Sequence, residues 1–302
     1  MIYTLTLNPS IDYVVFLDKF EAGITNRTTG EEIYFGGKGI NVSLILSELG
    51  LKNTALGFIA GFTGDAIKKG FGGENIIPDF IKLKSGNSRI NVKIKAGTET
   101  EINGQGPKIE AEELEKLIKK LENVKPGDTV ILSGSIPNTC PSDIYERILK
   151  LISKTEDVRV IVDATGELLV KTLKYKPFLI KPNRQELSEL FGISVETAED
   201  TEKYARKLMD MGAKNVLVSL GGEGAMLIDE TGKKHTIGTA NGKVLNTVGS
   251  GDSMVAGFVA GYEQTKDYGY ALKLGTACGG ATAFSKGIAD RETIDKVLKQ
   301  FI

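Results

Sequence analysis

Histidine is almost absent: His235 is the single one in 302 residues, and it stands in the polar run GKKHTIG, which reads as a hairpin strand with His235 on its surface. One imidazole cannot build a histidine-rich metal site, and Ser-His-Asp chemistry loses its only candidate base to a peripheral segment. Cysteine is nearly as scarce. Cys140 and Cys278 have no CxxC spacing and no histidine cluster, which excludes a disulfide framework and a structural zinc and suits a reducing cytosol. Excess charge is missing too: 38 basic residues stand against 39 acidic ones, so no global field would hold nucleic acid or an anionic membrane. An anionic ligand would have to be held locally. No window reaches the roughly 20 apolar residues that crossing a bilayer requires. The opening MIYTLTLNPSID has neither a basic stretch nor a long apolar run, so no secretory leader is expected and the expected location is cytoplasmic.

What is present is enough apolar material, 41% of the chain, for one large domain with an appendage. Short β-branched runs alternate with amphipathic helical windows, the pattern of parallel strands joined by crossover helices. Residues 2–8, 54–61, 128–134, 158–164, 176–182 and 215–221 read as buried strands, and 39–49 with AEELEKLIKKLE, PSDIYERILKLI and DTEKYARKLMDMG as helices. The fold class is α/β. Two regions break the alternation. DYVVFLDKF with EEIYF, and DFIKLK with RINVKIK, look like strands exposed on one face with no helix between them. They predict a small antiparallel β lid, about 12–35 and 79–103, on a single domain spanning 1–302.

The stretch NTVGSGDSMVAGF, residues 246–258, carries the clearest chemistry. Amides at Gly249, Ser250 and Gly251 would be free at the start of a helix, where the dipole is positive, and glycine lets backbone approach a phosphate closely. Asp252 is then out of place beside an anion unless it is a general base, taking a proton from an attacking hydroxyl while the amides neutralise the transferring group. A Gly-rich turn with Asp252 answering the helix dipole is the alternative. Neither GxxxxGK[ST] nor a complete GxGxxG occurs.

GSGD, with GGKGINV at 36–42, NPSID at 8–12, KPNRQE at 181–186 and SLGGEG at 219–224, resembles the ribokinase-like, phosphofructokinase B family of carbohydrate kinases over essentially the whole chain. The resemblance implies a three-layer α/β/α body and a β lid that contributes to a homodimer. The wording NPSIDYVVF, NRTTGEEIYFGGKGINVS, SRINVKI and TEINGQGP is most similar to members acting on fructose 1-phosphate. It implies transfer from ATP, with Mg2+, to the C6 hydroxyl, giving fructose 1,6-bisphosphate. A sister kinase for tagatose 6-phosphate or fructose 6-phosphate is the alternative within the class. A non-catalytic sugar-phosphate sensor is the alternative outside it, although a sensor gains nothing from a carboxylate facing a phosphate.

Residue by residue, the resemblance makes Asp252 the base and Gly249, Ser250 and Gly251 the anion hole, bordered by Val248 on the ATP side. Asp12, an acceptor-only carboxylate after the first strand, would hold sugar hydroxyls, or else cap its own loop. Gly36 and Gly37 would allow backbone contact with the sugar, and Asn41 would offer both donor and acceptor. Lys38 either reaches a phosphate or is a solvated cation. Arg27 and Arg89, both on the lid, match phosphate contacts, since a guanidinium grips phosphate bidentately. Ser135 would add a contact, but Asn138 departs from the family's wording in that loop. Ser219, Gly221, Gly222 and Gly224 match the nucleotide loop, Lys181 would meet phosphates, and Asn183 with Glu186 match an NxxE motif acting near Mg2+ through water. Cys278 lies in a small-residue window that either packs between helices or leaves an adenine slot. Asn246 stands where many relatives have aspartate, so a monovalent cation site there does not carry over.

Overall fold

The structure, a computed structural model, describes residues 1–301. It opens with β1 (Ile2–Thr6), a hairpin of β2 (Ser10–Phe16) and β3 (Gly30–Gly36), α1 (Lys38–Glu48), β4 (Asn53–Ile59) and α2 (Gly61–Gly70). Short strands β5 (Ile76–Pro78) and β6 (Ile81–Lys82) precede a second hairpin, β7 (Arg89–Ala96) and β8 (Thr98–Asn103). Helices and strands then alternate through α3 (Ala111–Leu121), β9 (Thr129–Ser133), α4 (Ile144–Ile152), β10 (Arg159–Asp163), α5 (Gly166–Leu173) and β11 (Leu179–Ile180). After α6 (Arg184–Phe191) and α7 (Ala198–Asp210) come β12 (Asn215–Ser219), β13 (Ala225–Ile228) and β14 (Lys234–Ile237). The chain closes with α8 (Ser250–Thr265), α9 (Tyr268–Ala283) and α10 (Arg291–Leu298).

The main sheet runs β14-β13-β12-β11-β10-β9-β1-β4-β5, with β6 beside the far end of β4. It is parallel from β12 to β6, and only β13 and β14 reverse direction. Strands of this kind are buried on both faces and read as continuous apolar runs. In β9, Val130 and Leu132 pack into the core under α3 to α7, while Ile131 points into the core under α1 and α8 to α10. Three layers result. The covering helices follow from their own spacing: in α3, Leu114, Leu117 and Leu121 recur on one face and are buried, with Glu112 and Glu113 in the first turn and Lys119 and Lys120 in the last to match the dipole.

The second sheet has the order β3-β2-β7-β8. Both hairpins are antiparallel, but the central β2–β7 pair is parallel, so the small sheet is mixed. Residues 79–84, expected in that sheet, belong to the body instead. Ile81 and Lys82 pair with Phe58 and Ile59, and Phe80, Ile81 and Leu83 are buried in its cores. That burial gives the segment more than an open lid could. The small sheet alternates as a strand must. One face carries Asp12, Tyr34, Asn91 and Lys93, and the other carries a row of Ile33, Tyr13, Val92 and Ile102 straight across all four strands.

Candidate active site

The site lies at the carboxyl ends of the parallel strands, where an open α/β sheet presents ligand groups. The N-terminus of α1 meets that of α8 there. Gly249 caps α8 with φ 80°, a left-handed conformation natural to glycine, and a Cβ on it would sit 2.6 Å from Ile288 Cδ1. Among the described residues the amides of Gly249 and Gly251 have no hydrogen-bond partner, whereas that of Ser250 closes a turn onto the Thr247 carbonyl at 3.2 Å. Of the three amides that the sequence singles out, two are therefore open donors at the helix mouth.

Asp252 sits in the first turn of α8, 6% exposed, and its Oδ2 accepts from Asn41 Nδ2 of α1 at 2.8 Å. Asp163, at the end of β10, is the residue that sequence reasoning missed. Its Oδ2 accepts from Lys38 Nζ at 3.0 Å, and Lys181 Nζ lies 3.6 Å from its Oδ1. Lys181 also borders Gly251, where a Cβ would be 3.1 Å from Nζ. Two lysines and two carboxylates thus share one cluster, in which Lys181, Asp163 and Asp252 are buried and the Lys38 side chain is 39% exposed. Burial opposes ionisation of Asp163, but Lys181 and Lys38 hold its pKa below the ordinary value. For Lys38, burial pulls downward and is outweighed by Asp163 and Asp252, which leave it a firm cation. Asp252 goes the other way: burial first, then the Asp163 charge, push it up to about 6 against the pull of Lys38, Asn41 and Lys181. A carboxylate near 6 next to open amides can take a proton near neutral pH.

Open space adjoins this cluster on the side of the small sheet. A cleft of about 430 Å³ between the small sheet and the body is lined by Asp12, Tyr34, Gly36, Asn41 and Lys93. Asp12 is held by Ser10 Oγ and Asn91 Nδ2, each 2.8 Å from Oδ1. Gly36 must lack a side chain, because a Cβ would fall 2.8 Å from Asp12 Oδ2. A smaller cavity of about 180 Å³ brings together Gly37, Lys38, Arg89 and Ser135, and adjoins a larger hollow of about 620 Å³ that includes Asn138 and Asp163. Arg89 donates from Nε to the Asn8 carbonyl at 3.1 Å, which engages one of its five donors. Arg27 is not brought here. It is exposed in the loop between β2 and β3, at the opposite end of the hairpin from Ser10 and Gly36, roughly 20 Å along the strands.

On the other side, Gly221 and Gly222 form an exposed turn after Ser219, and nothing lies within 4 Å of where their Cβ atoms would be. Arg184 clamps that turn through Glu223 at 2.5 and 2.8 Å, a link between two motifs that the sequence does not announce. Val248 is exposed beside the helix mouth. Three residues are packed more closely than the sequence suggests. Gly224 is buried against β14, where a Cβ would be 2.1 Å from the Ile237 carbonyl. Cys278 is 0% exposed and packs in the α8–α9 seam against Gly257. His235 is no loose surface residue: its Nε2 lies 2.7 Å from Asp229 Oδ2. Glu186 and Asn183 form a reciprocal capping box at 2.8 Å each way, so Glu186 Oε2 is occupied by the Asn183 amide and Oε1 is not needed for the cap.

The sequence profile of the pfkB family carbohydrate kinases matches residues 5–294. The chain belongs to this family. It is 43% identical to the 1-phosphofructokinase of Bacillus subtilis over 99% of this chain and 98% of the relative. It is 38% identical to the D-tagatose-1-phosphate kinase of Bacillus licheniformis, again over 99% and 98%. Among solved structures, a putative phosphofructokinase from Staphylococcus aureus superposes with a TM-score of 0.86 at 44% identity, covering 99% of this chain and 97% of that one. Phosphofructokinase-2 from Escherichia coli gives 0.90 at 28% identity, covering 99% and 98%. This pfkB-family chain is a sugar-phosphate kinase, with the charged cluster at the place its fold reserves for ligands.

Proposed function

We propose that the chain transfers the γ-phosphoryl group of ATP to the C6 hydroxyl of fructose 1-phosphate, giving fructose 1,6-bisphosphate and ADP. The observation that carries the chemistry is Asp252: a buried carboxylate with a raised pKa, one turn from two unpartnered amides and within a cluster holding two lysines. Asp252 takes the C6 proton as the C6 oxygen bonds to the γ-phosphorus and the bond to the β,γ-bridging oxygen breaks. The Gly249 and Gly251 amides and Lys181 receive the charge that develops, already oriented toward it. Asp12 and Asn41 orient the sugar. A magnesium ion carried by the nucleotide phosphates would neutralise part of their charge, and Glu186 Oε1 could reach it through water. The small sheet serves as the lid that excludes water from the acceptor.

Among the relatives, the names 1-phosphofructokinase at 43% and 39% identity favour fructose 1-phosphate over the tagatose 6-phosphate of a relative at 34%. Turnover with fructose 1-phosphate, tagatose 1-phosphate, fructose 6-phosphate and tagatose 6-phosphate, measured side by side, tests this. The highest kcat/KM is expected for fructose 1-phosphate, and a 6-phosphate preference would refute the substrate while keeping the chemistry. In the same assay Arg89→Ala is expected to raise the sugar-phosphate KM by about tenfold or more, the scale of losing a charge-assisted contact, with little change for ATP. Equal effects on both substrates would remove Arg89 from the sugar phosphate.

The partner proposed for the small sheet is a second copy of the chain. Ile33 and Ile102, 61% and 58% exposed, end an apolar row with Tyr13 and Val92 that one copy leaves open. Pairing lids would also give the distant Arg27 a route to the neighbour's acceptor pocket. Ile33→Lys with Ile102→Lys is expected to sediment as a monomer where the parent is a dimer. Unchanged mass would place the interface elsewhere.

A further inference from the structure

One segment touches both the small sheet and the turn that begins α8. Residues 285–289 join α9 to α10. On one side, Lys286 Nζ lies 3.3 Å from Glu32 Oε1 of β3, and Glu32 Oε2 accepts from the Tyr34 hydroxyl at 2.6 Å. Gly287 lies against the Tyr34 ring, where a Cβ would be 2.9 Å from Cε1. On the other side, the Lys286 carbonyl accepts from Asn246 Nδ2 at 3.0 Å, and Asn246 Oδ1 accepts from the Val248 amide at 3.0 Å. Ile288 fills the space beside Gly249. A short chain of contacts therefore runs from the face of β3 that borders the acceptor cleft to the first open amide of the helix mouth.

We infer that residues 285–289 are a strap through which seating of the small sheet sets the position of the Gly249 and Gly251 amides, with Glu32, Lys286 and Asn246 as positioning residues. This rests on the reading of those amides as the seat of the transferring phosphoryl group. Neither Glu32 nor Lys286 belongs to the Asp252 cluster; both act through Asn246 and the turn. Donors to a developing charge must lie within a few tenths of an ångström of their working place, and Asn246 is only three residues from Gly249. The link to β3 is an exposed ion pair, weak by itself, so its making and breaking can follow the motion of the sheet.

The test compares wild type, Lys286→Met, the charge-reversed pair Glu32→Lys with Lys286→Glu, and Asp252→Asn, using ATP and the best acceptor of the four-sugar panel. Lys286→Met keeps the carbonyl and the apolar stem and removes the charge. Its kcat is expected to fall about three- to tenfold, the range for a residue that carries coupling between sites, with the ATP KM nearly unchanged. The reversed pair is expected to recover most of the loss. Raising ionic strength with tetramethylammonium chloride should lower wild-type kcat toward that of Lys286→Met and leave the variant flat, because salt screens an exposed pair. Wild-type kcat in Lys286→Met, or a reversed pair no better than the single variant, overturns the strap. Near-normal turnover in Asp252→Asn would instead overturn the phosphoryl-seat reading, and the strap would fall with it.

Discussion

Replacing Asp252 by asparagine is expected to lower kcat by about 10²- to 10⁴-fold, the usual worth of a positioned general base, while both substrates still bind. Asparagine keeps the volume and can keep the hydrogen bond to Asn41, so the helix mouth stays formed. Its pH behaviour separates a base from a merely structural acid. In the free wild-type protein the Asp252 carboxyl titrates at about 6, so kcat/KM should fall with unit slope as the pH drops below that value. The residual activity of the variant should lack this limb. Stability should move in the opposite direction to activity. A folded-state pKa of about 6 against an ordinary 3.8 means that the folded chain holds the proton more tightly. This group's contribution is greatest at low pH and is lost as the pH rises through 6. At pH 7 to 8 the buried charge therefore costs stability, on the order of 2–3 kcal/mol at most by the shift of about two units. Asp252→Asn should melt higher than wild type there and show no advantage near pH 4. A variant that turns over normally, or that melts lower at pH 8, contradicts the role given to this carboxylate.

The body of this fold is legible in the sequence because its strands are buried on both faces. TALGFI, TVILS and NVLVS have unbroken apolar centres, and the windows between them are helical by spacing. The small sheet is harder. DFIKLK alternates as convincingly as RINVKIK, yet only the latter lies in the small sheet. Periodicity reports which side of a strand is buried and not which sheet buries it. The parallel β2–β7 pair is likewise set by contacts some 79 residues apart, as between Asp12 and Asn91. Glycine-rich turns announce themselves by composition, so the turns at Gly249, Gly251 and Gly221 are visible in the sequence. Asp163 has no such marker. It is a lone aspartate in VRVIVDA, and the signal available was its place at the carboxyl end of a buried parallel strand, the same reasoning that singles out Asp12. Arg27 shows the converse. A cation near a motif in sequence lies a full hairpin length from the site in space.

Asp163→Asn should have the second largest effect, and on stability and chemistry together. The wild-type carboxylate answers two lysines in a pocket where it is itself 2% exposed, and Lys181 is 6% exposed. Removing one partner of a buried pair leaves an uncompensated charge, at a cost of about 3–5 kcal/mol. The sign with pH follows from the lowered pKa of Asp163. Its stabilisation is present above the ordinary carboxylate pKa and is lost as the pH falls through the folded value, so the deficit of the variant should shrink in acid. The same substitution removes a negative neighbour from Asp252 and frees Lys38 and Lys181 to pair with it. Both changes favour the ionised base, so the acid limb of kcat/KM should move below pH 6 and the weaker base should turn over more slowly. If the limb stays at 6 while the melting temperature falls, Asp163 holds the lysines but does not tune the base. If neither moves, the cluster is not the coupled unit that its distances describe.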